Sequence, residues 1–280
     1  MDVVKTVAEM KARSRALASE GSVVGLVPTM GALHEGHLSL IRIASGLADV
    51  VVVSVFVNPT QFGPSEDFDR YPRDLEQDAA LAEGAGCDVL FAPSVEEMYP
   101  SRFATVVHVQ RMSQKLCGAF RPGHFDGVTT VVAKLFTIVR PAIAVFGQKD
   151  GQQVAIIERM SEDLDLGVEI IRGPTVREAD GLAKSSRNAY LSREERSQAP
   201  VLYRALEHAR ALYEGGERNA LKVVEAVEEC VESDSDAELQ FVAAVDSKTL
   251  EDLATLRPGA MIALAAFFGK TRLIDNVVLE

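Results

Sequence analysis

A chain of 280 residues can fold as one large domain or two modest ones, and two is the expectation here. Its formal charge of −12 is the wrong sign for nucleic acid or an anionic membrane as the main partner, though it leaves room for a local basic pocket. Hydrophobic residues at 47% and charged residues at 25% are ordinary for a soluble globular protein. Cys87, Cys117 and Cys230 are odd in number and match no metal spacing, so free thiols in a reducing, cytoplasmic compartment are expected. The first twenty residues mix Lys, Arg and Glu without the apolar stretch of a secretory signal. No apolar run approaches the ~18 residues that span a bilayer.

In chain order, residues 2–20 carry Val3, Val4, Val7, Met10 and Leu17 at helical spacing. The β-branched run 23–27 predicts a strand, followed by a turn with two histidines and a helix bearing Leu38, Ile41, Ala44 and Leu47. Residues 50–57 are apolar apart from Ser54, the pattern of a strand buried on both faces in a parallel sheet, and Asn58, Pro59 and Thr60 end it. Further helices are expected at 73–84, 128–139 and 152–164, and strands at 89–91, 142–146 and 168–171. Strands alternating with helices through about residue 172 imply right-handed crossovers and a doubly wound α/β sheet. Beyond Gly173 and Pro174 the order changes: helices at 193–214 and 219–232, then strands at 238–245, 260–268 and 271–279, a smaller α+β domain over 176–280.

Ligands in doubly wound sheets sit beyond the carboxyl ends of the strands, and the polar clusters fall there. After the first strand come His34 and His37, three apart at a helix start, where the dipole favours an anion and both imidazoles share one face. The same spacing also suits zinc or a helix cap, but zinc wants further ligands, and His108, His124 and His208 are distant in sequence. Lys149, in Gly147, Gln148, Lys149, Asp150, offers a point charge for a phosphate, or is simply a solvated lysine. Ser185, Ser186 and Arg187 offer two hydroxyls and a guanidinium to phosphate oxygens, or form an ordinary turn. Arg121 and His124 lie in a turn-rich loop able to close over a ligand or stay solvated. Gln61 and Gln153 are neutral amides suited to a hydroxyl or carboxylate; Tyr71 adds a wall. Asp78 is either a metal carboxylate or part of the solvated face of an acidic helix.

The ordered strings PTMGALHEGH, FVNPTQFGPSEDFDRYPRD, RPGHFDGV, FGQKDGQQ and PTVREADGLAKSSRNAYLS resemble the pantothenate synthetase (pantoate–β-alanine ligase) family over most of residues 23–192, with a looser likeness through TRLIDNVVLE. The resemblance implies a homodimer whose subunits have a Rossmann-like nucleotide-binding domain, here 1–175, and a small C-terminal lid, here 176–280. It implies condensation of (R)-pantoate with β-alanine through a pantoyl-adenylate, consuming ATP with Mg²⁺ and releasing AMP and pyrophosphate. Carried over by motif, Met30, Gly31, Ala32, Leu33, His34, Glu35, Gly36 and His37 line the ATP site. Gly147, Gln148, Lys149, Asp150, Val176, Lys184, Ser185, Ser186 and Arg187 join them. His37, His34, Lys149 and Arg187 carry the catalytic role; Gln61, Gln153, Met30 and Tyr71 hold the other substrates; and Asp78 lies near the metal. Three positions depart from the family pattern: Lys184 stands where Leu or Met is common, Gly151 where an aromatic or alanine is common, and Gln148 where Glu is usual.

Two rival readings remain in view. Another nucleotidyltransferase with the same histidine motif would transfer AMP or CMP to a phosphorylated acceptor, which needs more cationic groups than Gln61, Gln153 and Tyr71 supply. A non-catalytic nucleotide sensor would not need Lys149 and Arg187 in addition to both histidines.

Overall fold

The computed structural model describes residues 1–64 and 66–280. The chain divides into two compact units. The first comprises Met1–Gln114, Gly118–Gly147 and Ile156–Gly173; the second comprises Lys115–Cys117, Gln148–Ala155 and Pro174–Glu280.

The first unit begins with β1 (Asp2–Val4), α1 (Val7–Ser19), β2 (Val24–Thr29), α2 (Glu35–Ser45) and β3 (Val50–Val55). The chain continues with α3 (Leu75–Gly84), β4 (Val89–Phe91), the short α4 (Val95–Met98) and α5 (Cys117–Phe120), α6 (His124–Val139), β5 (Ile143–Gly147), α7 (Gly151–Asp163) and β6 (Glu169–Gly173). The six strands are all parallel, in the order β1-β4-β3-β2-β5-β6. This is the α/β sheet expected from continuous apolar strands: Leu26, Val27, Val52, Val53, Leu90 and Val145 are fully buried. One difference lies at the start. Val3 and Val4 belong to β1, paired with Leu90 and Phe91, and the helix begins only at Val7, capped by Thr6 Oγ1 accepting from Glu9 N–H. β-branched side chains at a sheet edge gain more from pairing than from one extra helical turn.

Strand order reverses between β2 and β5, so the switch point lies there, where α/β sheets bind their ligands. β2 pairs with β3 along six residues but with β5 only at Gly25 and Leu26. Pro28, which has no N–H, therefore sits beyond the end of the β5 ladder.

In the second unit α8 (Arg193–Gln198), α9 (Val201–Glu214) and α10 (Ala220–Asp234) precede β7 (Glu238–Asp246), β8 (Ala260–Phe268) and β9 (Thr271–Val278). The strands form an antiparallel sheet in the order β7-β8-β9. Its core joins Leu202, Leu206, Val223 and Val227 of the helices to Ile262 and Leu264 of the central strand. The single helix expected over 193–214 is two helices, because Pro200 cannot donate to the preceding turn and serves instead to start α9. Among the described residues no helix is long and apolar enough to cross a membrane.

Candidate active site

The first unit builds its site on the turn that leaves β2. Gly31 (φ 81°) and Ala32 (φ 51°) are both left-handed, which swings the chain sharply from strand to helix. A Cβ on Gly31 would lie 2.7 Å from Asp78 Oδ2, so only glycine fits. Thr29 Oγ1 accepts from Gly31 N–H at 3.2 Å and donates to the Ser54 carbonyl at 2.7 Å. Asp78 reaches across from α3 and accepts from Ala32 N–H (3.0 Å) and Leu33 N–H (2.7 Å). It is 2% exposed, not the solvated acid its helix suggested, and burial outweighs those two hydrogen bonds to leave its carboxyl above the usual range.

His34 caps α2. Its Nδ1 accepts from Gly36 N–H at 3.2 Å, while His37 Nδ1 accepts from His34 N–H at 3.3 Å. The two rings lie with centroids 4.1 Å apart. Because each Nδ1 is an acceptor, each neutral imidazole carries its proton on Nε2. The motif is thus a helix cap whose two neutral imidazoles carry their N–H donors at Nε2. The backbone N–H groups of Gly31, Ala32, Leu33, His34 and Gly36 all bond within the protein. An anion here meets imidazole donors and the helix dipole more than a bare backbone cradle.

The turn after β3 supplies a second cluster. Asn58 is 1% exposed. Its amide donates to Gln61 Oε1 (3.0 Å) and to the Gly127 carbonyl (3.1 Å), and its Oδ1 accepts from Tyr99 Oη (2.8 Å). Gln61 Nε2 points to Met30 Sδ at 3.0 Å. His124 Nδ1 donates to the Gln61 carbonyl at 2.8 Å, which makes Nε2 the acceptor from Arg121 Nη1 at 2.9 Å. Arg121 in turn grips Glu66 with two bonds of 2.6 Å. Burial pushes the Glu66 carboxyl up, but the hydrogen bonds and charge of Arg121 outweigh it and hold it below the usual range. The structure therefore brings Met30 and Gln61 together, and gives Arg121 and His124 the task of bracing Gln61. Tyr71 is buried, edge-on to Phe62. Asn58 was expected with Gln61 in the polar cluster after this strand; Glu66, Tyr99 and Gly127 were missed from the sequence. A Cβ on Gly127 would strike the Thr60 carbonyl, so this glycine lets α6 approach the Gln61 turn.

The second unit holds the remaining cationic residues. Gln148, Lys149 and Asp150 form a single 3₁₀ turn directly after β5, with Lys149 Nζ 3.9 Å from Asp150 Oδ1. Gln152 is buried and structural, accepting from Cys117 N–H and donating to the Lys115 carbonyl; Gln153 beside it is partly buried. Val176 accepts from Lys184 N–H, and Lys184 Nζ pairs with Glu178 at 2.8 Å, so the departure at 184 is neutralised within its own hairpin. Ser185 caps the 3₁₀ turn Ser186–Tyr190 by accepting from Arg187 N–H at 3.3 Å, and its hydroxyl hydrogen remains a donor.

No group of three His, Cys, Asp or Glu is arranged to hold a metal ion among the described residues. Asp78, expected near the metal, braces the turn with both oxygens.

A parallel α/β sheet with a capped histidine pair beyond its switch strand, and clustered amides beyond the next, defines the class: a nucleotide-dependent transferase or ligase. The family model for pantoate–β-alanine ligase matches residues 2–278. A pantothenate synthetase of Thermoanaerobacter sp. (strain X514) is 60% identical over 258 residues, covering 92% of this chain and 91% of its own. The crystal structure of pantothenate synthetase from Thermus thermophilus superposes with a TM-score of 0.94 at 50% identity, covering 99% of each chain. Pantoate–β-alanine ligase from Francisella tularensis, complexed with beta-gamma ATP and β-alanine, matches with a TM-score of 0.82 at 34% identity, covering 99% of this chain and 97% of that one. The chain belongs to the pantoate–β-alanine ligase family.

Proposed function

We propose that the chain joins pantoate to β-alanine in two steps, using ATP and passing through a pantoyl-adenylate. In the first, a pantoate carboxylate oxygen attacks the α-phosphorus of ATP and pyrophosphate leaves. In the second, the amine of β-alanine attacks the acyl carbon, the C–O bond to AMP breaks, and AMP departs with that oxygen. The chain has little covalent work to do; it must hold two anions in line and meet the charge that grows on pyrophosphate. The Nε2–H groups of His34 and His37 act on the phosphates, and Lys149, Ser185, Ser186 and Arg187 share that task. Met30, Gly31, Ala32, Leu33, Glu35, Gly36, Gly147, Gln148, Asp150, Val176 and Lys184 complete the nucleotide's surroundings. Gln61 and Gln153, with Met30 and Tyr71, receive pantoate and β-alanine.

The observation that carries the acceptor assignment is the bracing of Gln61. Its side-chain oxygen, its amide nitrogen and its backbone carbonyl each meet a separate partner. An amide has two N–H donors and two carbonyl lone pairs, so neither side-chain contact exhausts it. Such a group can bind a hydroxyl or carboxylate with its orientation already set.

Mg²⁺, implied by the resemblance, would be held chiefly by the phosphates of ATP and would help neutralise their charge. We assign the chain to a reducing cytoplasm, on the odd count and spacing of its cysteines. We also assign residues 1–175 to nucleotide and pantoate, 176–280 to a lid, and the whole to a homodimer, readable by sedimentation. ATP should then slow hydrogen exchange of backbone 183–190 more than pantoate does. The reaction itself is tested by ATP–pyrophosphate exchange with a panel of acids. Exchange should require pantoate; exchange driven instead by a phosphorylated acceptor would transfer the chain to the rival class.

A further inference from the structure

The looser likeness through TRLIDNVVLE falls on β9, and two adjacent residues there are buried and polar: Asp275 is 3% and Asn276 6% exposed. Neither is a surface group, and the reaction sketched above uses neither. What they hold is informative.

Asn276 Nδ2 donates to two successive backbone carbonyls, those of Gln148 and Lys149, each at 2.9 Å. Its Oδ1 accepts from Gln148 Nε2 at 3.0 Å. One side chain therefore ties both the backbone and the side chain of the turn that presents Lys149. These atoms are far apart in sequence, so the C-terminal strand braces the turn together with the turn's own Gln148. Gly151 is fitted to the arrangement: a Cβ there would lie 2.9 Å from Gln148 Nε2 and 3.1 Å from Asn276 Oδ1. Gln148 is fitted too, because a glutamate at 148 has no N–H to give Asn276 Oδ1.

β9 itself is pinned beside this point. Asp275 takes two bonds from Arg177, at 2.6 and 3.0 Å, and one from Asn276 N–H at 2.8 Å. The Arg177 guanidinium lies 4.3 Å from the Tyr203 ring centroid. A bidentate pair stacked on an aromatic ring allows the strand little freedom to slide. Asn276 is thus fixed on one side by its neighbour and reaches Lys149's turn on the other.

We propose that Asn276 is a positioning residue for adenylation, acting through Lys149. Two carbonyls bound to one amide hold the turn in the conformation that aims the Lys149 stem. A long, flexible lysine gains from a fixed base, since the part of its freedom that resides in the backbone is removed before substrate binds. Asn276 itself meets no reacting atom. The inference rests on the assignment of Lys149 to the phosphates.

The test is a double-mutant cycle in the full chain, Asn276→Ala and the near-isosteric Asn276→Asp, each alone and with Lys149→Ala. Pantoate-dependent exchange should fall by about tenfold or more for either substitution alone, with the pantoate KM within about twofold. In the Lys149→Ala background the same substitutions should change the rate by less than about twofold. Equal loss in both backgrounds, or wild-type exchange in the single variants, overturns the proposal. So does loss of the cooperative melting transition in both variants, which would make Asn276 part of the folding core. The same cycle read as pyrophosphate affinity by calorimetry separates this idea from the functional reading. If wild-type chain shows no pantoate-dependent exchange, the functional reading fails. Coupled pyrophosphate affinities would then still support the positioning role, and uncoupled ones would overturn it.

Discussion

At the scale of single residues, the chemistry is concentrated in groups whose donors are already oriented. His34 and His37 each spend Nδ1 on a backbone N–H, so each keeps Nε2–H as its donor. If His37 acts on the phosphates as proposed, replacing it with alanine should cost the first step about 2–4 kcal/mol of transition-state stabilisation. Single-turnover formation of the adenylate measures it; a rate near that of the parent chain would take His37 out of the mechanism. Asp78 acts one layer behind. Asp78→Asn puts an N–H₂ where two backbone N–H groups need acceptors, leaving Ala32 or Leu33 unpaired at a cost of about 1–3 kcal/mol. The turn should loosen, visible as faster amide exchange at 31–34, and adenylation should slow. Unchanged exchange with a normal rate would show that the clamp is dispensable. The clamp was not visible in the linear chain, where Asp78 reads as a metal carboxylate or as part of the solvated face of an acidic helix; its carboxylate meets the turn because α3 packs beside β3.

At the scale of elements, the pair formed by Arg121 and Glu66 joins the segment after the Gln61 turn to the start of α6. The Glu66 carboxyl ends below its ordinary range, although burial alone would raise it. A carboxyl held lower in the folded state than in the unfolded one contributes stability above its ordinary pKa, about 4.3. That contribution fades as pH falls through the depressed folded value. Glu66→Gln should therefore cost stability at pH 7, on the order of 1–2 kcal/mol for a partly exposed pair. The gap from the parent should close on acidification, and urea unfolding across pH 3–7 would show it. A gap that stays constant, or widens towards acid, contradicts the assignment. The elements themselves were largely legible: buried strands betray themselves by unbroken apolar runs such as 50–57, and α9 and α10 by their spacing. β1 and the break at Pro200 were not, because a three-residue edge strand exists only through its partner β4, and a helical stripe continues in register across a proline. Of the candidate site, the cap formed by His34 and His37 was legible, because its hydrogen bonds are local. Tyr99 and Asn276 were not, since each acts on a segment 40 or more residues away through a single amide or hydroxyl with no periodic signature.

For the whole molecule, one unit is a parallel sheet with its switch point between β2 and β5, and the other is a helical and antiparallel unit that fixes the Lys149 turn. Membership of the pantoate–β-alanine ligase family follows from a match over residues 2–278. The central claim about chemistry is that the carboxylate of pantoate is itself the nucleophile towards the α-phosphorus. Isotope transfer tests this without reference to rates. With both carboxylate oxygens of pantoate labelled as ¹⁸O, attack on the α-phosphorus and later cleavage of the acyl C–O bond must leave one labelled oxygen on AMP and one in the product amide. Mass spectrometry of AMP and pyrophosphate from a single turnover reads the outcome directly. Carboxylate attack predicts AMP heavier by one ¹⁸O and unlabelled pyrophosphate; unlabelled AMP, or label in an inorganic phosphate product, would contradict it.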